Sequence, residues 1–96
     1  MAGYVKAWQD SSAGQIISTR AAVMKVVAFH SATADEVVSF YDLKQAPSNG
    51  ETAYEWHLYG KGVFELTIPE DGVIFENGIY VDPGSNAVVT VFYRSV

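Results

Sequence analysis

The groups with which this chain could do chemistry are few. Eleven Asp and Glu residues supply carboxylates, His30 and His57 are the only imidazoles, and cysteine is absent. Zinc sites draw on ligands at short spacing, and the two histidines lie far apart with no such neighbours, so they read as ordinary surface or cross-strand residues. Carboxylates gather at Glu70 and Asp71, with Asp82 in a second turn-rich stretch, a composition that raises calcium. Calcium takes about six to eight oxygens, and neither stretch has an EF-hand ligand ladder, so solvated turns account for them. The Gly60-Lys61-Gly62 triplet lacks the rest of a phosphate loop and sits between strand-like runs rather than before a helix. There is no G-x-S-x-G elbow. Asn49, Asn77 and Asn86 are followed two residues later by Glu51, Ile79 and Val88, so no glycosylation acceptor is present. No nucleophile stands with a base, and the expectation is a chain with no catalytic residues, no metal and no cofactor.

Aromatic residues are the stronger signal. The chain has 2 Trp, 6 Tyr and 5 Phe in 96 residues. Tyr and Trp gather where a surface is buried against a partner, because each joins a large apolar area to a polar tip. Core filling accounts for many of these rings, but a domain this small cannot bury all of them together with two strands apolar on both faces. Tyr4, Trp8, Tyr59 and Tyr93 are therefore the candidate partner-interface residues, with a second copy of the chain the expected partner.

The charge balance excludes other partners. Formal net charge is −5, and the six basic residues, Lys6, Arg20, Lys25, Lys44, Lys61 and Arg94, are scattered. A phosphate-gripping surface needs clustered cations, so neither nucleic acid nor an anionic membrane is expected as a partner. The longest apolar region, residues 16–29, is broken by Arg20 and Lys25 and is shorter than the roughly 20 residues a bilayer span requires. No signal peptide is expected, because the N-terminus lacks a basic start and an unbroken apolar segment.

The elements that would position these residues read as short strands. Residues 72–93 alternate β-branched and aromatic runs with Asn-Gly and Pro-Gly punctuation. Residues 1–14 carry Tyr4 and Trp8 ahead of a polar stretch. They read either as a first strand on their own domain or as an arm docking on a neighbouring subunit, and residues 15–96 as the domain proper. In residues 21–29 Ala, Met and Lys would also suit a helix, but Val23, Val26, Val27 and Phe29 favour a strand. That strand is apolar on both alternating sets, as is the last, residues 87–94, so both should be covered on two sides. Residues 43–50, with Pro47 and Asn49-Gly50, form a surface loop. Around Gly60-Lys61-Gly62 a three-residue hairpin would set Leu58 beside Phe64, Trp56 beside Leu66 and Tyr54 beside Ile68, provided the two strands are neighbours in one sheet. Asn77-Gly78 marks either a tight hairpin or a kinked, continuous edge. The expected fold is an all-β, single-domain antiparallel β-sandwich, jelly-roll or immunoglobulin-like, of about seven or eight short strands. Its core should include Val26, Phe40, Trp56, Leu58, Phe64, Leu66, Ile68 and Phe92.

The run from Ala21 onward resembles small virion proteins of tailed bacteriophages, those of marine and cyanobacterial phages in particular. The resemblance rests on VSFYD at residues 38–42, FELTIPEDGVIFENGIYV at residues 64–81 and VVTVFY at residues 88–93. It implies a structural, non-enzymatic place on the virion, such as capsid decoration, cement or a tail-associated module. The implied partners are other copies of the chain and a major capsid or other virion protein. The alternative is a carbohydrate-binding β-sandwich for host-surface adhesion, with an exposed Trp56 or Tyr59 stacking on sugar rings.

Overall fold

The computed structural model describes residues 4–96, among which there is no helix. The strands are β1 (Lys6–Asp10), β2 (Gly14–Ile17), β3 (Ala21–His30), β4 (Glu36–Tyr41), β5 (Tyr54–Leu58), β6 (Gly62–Thr67), β7 (Val73–Phe75), β8 (Ile79–Asp82) and β9 (Ala87–Ser95). Nine strands replace the expected seven or eight because residues 6–17 contribute two and the run around Asn77-Gly78 divides into two more. The larger sheet has the order β1-β9-β3-β6, with β7 also paired to β3, and the smaller has the order β2-β8-β4-β5. Every pairing is antiparallel. Val23, Val26, Ala28, Val89 and Val91 from the larger sheet share one buried cluster with Val38, Phe40, Leu58, Ile79 and Val81 from the smaller. The fold is thus an all-β sandwich.

A bulge in β3 explains why both of its alternating sets are apolar. Against β9 the register steps from Val23↔Tyr93 to Lys25↔Phe92, so two steps along β3 oppose one along its partner. An extra residue in one strand reverses which parity faces inward. Val23 is buried before the bulge, and Val26, Ala28 and His30 are buried after it. Lys25, Val27 and Phe29 therefore turn to the outer face, where Phe29 is 54% exposed. The outer side is not covered along the whole strand, contrary to the two-sided cover expected from composition.

Two expected connections are corrected by the sheet assignment. Strands β5 and β6 do not pair: β5 lies on β4 in the smaller sheet and β6 on β3 in the larger. The chain crosses between sheets at Gly60, whose φ of 86° suits glycine. Tyr54, Trp56 and Leu58 still point toward Phe64 and Leu66, but across the sandwich rather than beside them in one sheet. Alternation fixes which face is buried and is silent about which sheet supplies the neighbour. Asn77-Gly78 likewise forms neither a hairpin nor a continuous edge, since β7 belongs to the larger sheet and β8 to the smaller. A Cβ at Gly78 would lie 2.6 Å from the Ile17 carbonyl oxygen and 2.7 Å from that of Leu43, so this crossing is built around the absent side chain.

Of the expected core, Val26, Phe40 and Leu58 are buried, while Trp56, Phe64 and Ile68 are half-buried against the central cluster. Leu66 is 38% exposed because it borders an open edge. Phe92 pairs with Lys25 on the outward parity and is half-buried there, outside the central cluster.

Candidate docking edge between the two sheets

The polar groups that could do chemistry are spent on the fold or kept apart. His30 is fully buried, and its Nδ1 donates to the Gly60 carbonyl at 2.5 Å, tying the end of β3 to the crossing between sheets. Its Nε2 is buried without a hydrogen-bond partner. His57 stands on the outer face of the other sheet, 3.3 Å from the Glu55 carboxylate and stacked on Tyr59 with ring centroids 6.1 Å apart. Among the described residues no group of three His, Cys, Asp or Glu side chains is placed to hold a metal ion.

The carboxylates cap turns, which sequence reasoning found only in outline. Asp82 accepts from the Gly84 amide, and Asp10 accepts from those of Ser11 and Ser12. Glu36 accepts from the amides of Ser85 and Asn86, and Asp42 from those of Glu76 and Asn77. The last two link segments distant in sequence, so no local motif announces them. Gln15 is similar: its side-chain amide donates to the carbonyls of Ile17, Leu43 and Ile79. On the outer face of the larger sheet, Lys25 lies 2.9 Å from Glu65. The hydrogen bond and the charge of Lys25 hold the Glu65 carboxyl below its ordinary value.

What the fold leaves open is one side of the sandwich. The larger sheet ends there in β6 and β7, which pair with successive stretches of β3, and the smaller ends in β5. Between these edges is a cleft of about 260 Å³. Phe40 and Trp56 from the smaller sheet, Val26 and Leu66 from the larger and Ile68 just past β6 line it, and Glu55 is the one carboxylate on its wall. Three large apolar or aromatic residues at the cleft are exposed, Tyr54 at 62%, Val73 at 47% and Leu66 at 38%. The Tyr54 and Phe75 rings meet edge to face at 5.9 Å, one from each sheet. Sheet edges are commonly blunted by inward-pointing charges, and at β6 and β5 the inward positions are Phe64, Leu66, Tyr54 and Trp56. The opposite edge is different, because β1 carries Lys6 and Asp10 on the same parity as Trp8.

The four residues singled out from sequence are scattered over this frame. Tyr4 is 91% exposed ahead of β1, and Tyr59 is 71% exposed beyond β5. Trp8 and Tyr93 are half-buried and pack on their own core, which leaves only part of each ring for a partner. Sequence reasoning placed Leu66 in the core and named neither Tyr54 nor Val73 as an interface residue. Comparison with protein-family models, curated proteins and solved structures finds no match.

Proposed function

We propose that this chain is a non-enzymatic structural protein of a tailed-phage virion, a capsid decoration, cement or tail-associated β-sandwich. It acts by binding copies of itself and a major capsid or other virion protein. The observation that supports a binding role is the open side of the sandwich, where two sheet edges without inward charges flank an apolar cleft. Edges of this kind are templates for an added strand. The place on the virion rests on the phrases at residues 38–42, 64–81 and 88–93 that resemble small phage virion proteins. The net charge of −5 fits a position facing water better than one against packaged DNA. The test is a mass-spectrometric inventory of purified particles, followed by co-sedimentation of added protein with particles that lack it. Presence at stoichiometric copy number and saturable rebinding are expected, and absence from the particles would end the virion reading.

The carbohydrate-binding alternative retains one of its two rings. Trp56 faces inward, whereas Tyr59 is exposed beside His57, which is itself paired with Glu55, so an aromatic platform stands next to polar groups. A glycan array compares the chain with Tyr59→Ala: saturable sugar binding lost in the variant would favour this reading over the structural one.

A further inference from the structure

The two sides of the sandwich differ, and each is composed of one edge from each sheet. On one side lie β1 and β2, joined by a short link, with Gly14 set against the Trp8 ring. On the other lie β6 with β7, and β5. Both sheets are four strands across and wholly antiparallel along those paths, so in each the two edge strands run in opposite senses. A second copy added in line, its β1 beside β6 and β7 and its β2 beside β5, would therefore continue antiparallel order in both sheets at once.

The register shows what that copy brings to the cleft. Lys6, Tyr93, Val23 and Val73 form one row across the larger sheet. Two residues along, Ser95, Ala21 and Phe75 form the next inward row, and Tyr4 precedes Lys6 by the same two residues. In an extended chain Tyr4 shares the parity of Lys6 and Trp8 and so faces the layer between the sheets. A copy added without stagger sets its Tyr4 level with Phe75 of the acceptor, where Phe75 meets Tyr54 at the cleft. Tyr4 and Val5, 91% and 57% exposed, are apolar surface without cover in their own chain.

Charge favours this pairing over one between two acceptor sides. The β5 and β6–β7 side carries Glu55, Glu65, Glu70 and Asp71, so two such sides would meet with an excess of carboxylates on each. Lys6, which has no ion-pair partner among the described residues, would instead come level with Val73, two residues from Asp71, while Asp10 stays bound to the Ser11 and Ser12 amides.

We infer that a second copy of this chain docks head to tail on the open side, with its Tyr4–Val5 segment in the cleft between β5 and β6–β7. This rests on the self-association reading and names its surfaces. Such a heterologous contact uses two different patches, and it closes into a ring or grows into a filament.

The experiment uses the full chain with one donor variant, Tyr4→Asp, and one acceptor variant, Leu66→Lys, with Tyr54→Ala as second acceptor variant if Leu66→Lys does not fold. Sedimentation velocity is run over a range of concentrations. Each variant alone should associate about ten- to a hundredfold more weakly than the parent, the effect of losing one buried ring or aliphatic side chain. Mixed, the two should give a complex with one copy of each and no larger species, because each keeps the half that the other lacks. If the parent associates and Tyr4→Asp associates equally well, or if mixing restores nothing, the head-to-tail contact is wrong while self-association stands. A parent chain that stays monomeric throughout overturns both.

Discussion

Two of the crossings between sheets depend on single residues, and they make contrasting demands. Gly60 turns at a φ of 86° in open space, with no atom within 4 Å of the position its Cβ would take, whereas the Cβ of a residue at 78 would strike two backbone carbonyls. Gly60→Ala should thus cost about 1–2 kcal/mol of backbone strain alone. Gly78→Ala should cost at least about 2–3 kcal/mol, since the Ile17 and Leu43 carbonyls cannot yield without moving two strands or loops. Urea unfolding of the two variants measures the difference, and equal losses would mean that the Gly78 site relaxes. Lys25 and Glu65 permit a pH prediction. Because the folded protein holds the Glu65 carboxyl below its ordinary value, the pair's contribution is present above the unfolded-state value and is lost as pH falls through the folded one. Lys25→Met should therefore lower stability at neutral pH, and the gap from the parent should close on the acid side of 4.5. The pair is exposed, so added salt should also narrow the gap.

At the scale of elements, β1 is both an edge of the larger sheet and the stem of the exposed Tyr4–Val5 segment. Its five residues pair with β9, and its one half-buried side chain, Trp8, packs on the core. A chain beginning at Gly14 thus loses a strand as well as the proposed docking segment, and the uncovered β9 becomes a new edge. Its urea midpoint should fall by the equivalent of about 2 kcal/mol or more, the usual worth of a large buried side chain. Tyr4→Ala should leave the midpoint unchanged within about 0.5 kcal/mol, because its ring touches little of its own domain. If the shortened chain unfolds at the parent's midpoint, β1 is dispensable to the sandwich. Pairing partners also show why the alternation of β5 and β6 fits a hairpin as well as a crossing between sheets. Their apolar parities do face each other, and a facing strand in the opposite sheet satisfies that pattern as well as a neighbour in the same sheet does.

For the whole molecule, the connectivity is almost entirely non-local. Only β4 and β5 are consecutive strands that pair, whereas β1 with β9, β2 with β8 and β3 with β9 join distant parts of the chain. Loop-closure entropy must be overcome before such contacts form, so folding should take milliseconds to seconds despite the small size. Stopped-flow refolding followed by Trp fluorescence checks this, and a microsecond phase carrying the full amplitude would contradict it. The same connectivity ends both sheets in unpaired edges on each side, which is the geometric basis of the proposed self-association.

The sequence by itself determined the fold class, because period-two alternation bounded by Gly, Pro and Asn recurs along most of the chain and favours short strands. It determined most of the inward set as well, Val26, Phe40 and Leu58 among them, since burial follows parity wherever a strand is regular. It also indicated that more aromatic surface is present than one small core can take. Only the tertiary structure decided which strands pair, because alternation records a buried face and not the identity of the neighbour. It also decided where parity reverses: the bulge at Val23 and Lys25 is one residue of register in the backbone, and no residue type marks it. The open cleft belongs to the same class of fact. Leu66 is a core residue by pattern, yet with Tyr54 and Val73 it lines an open cleft because both sheets end beside these residues.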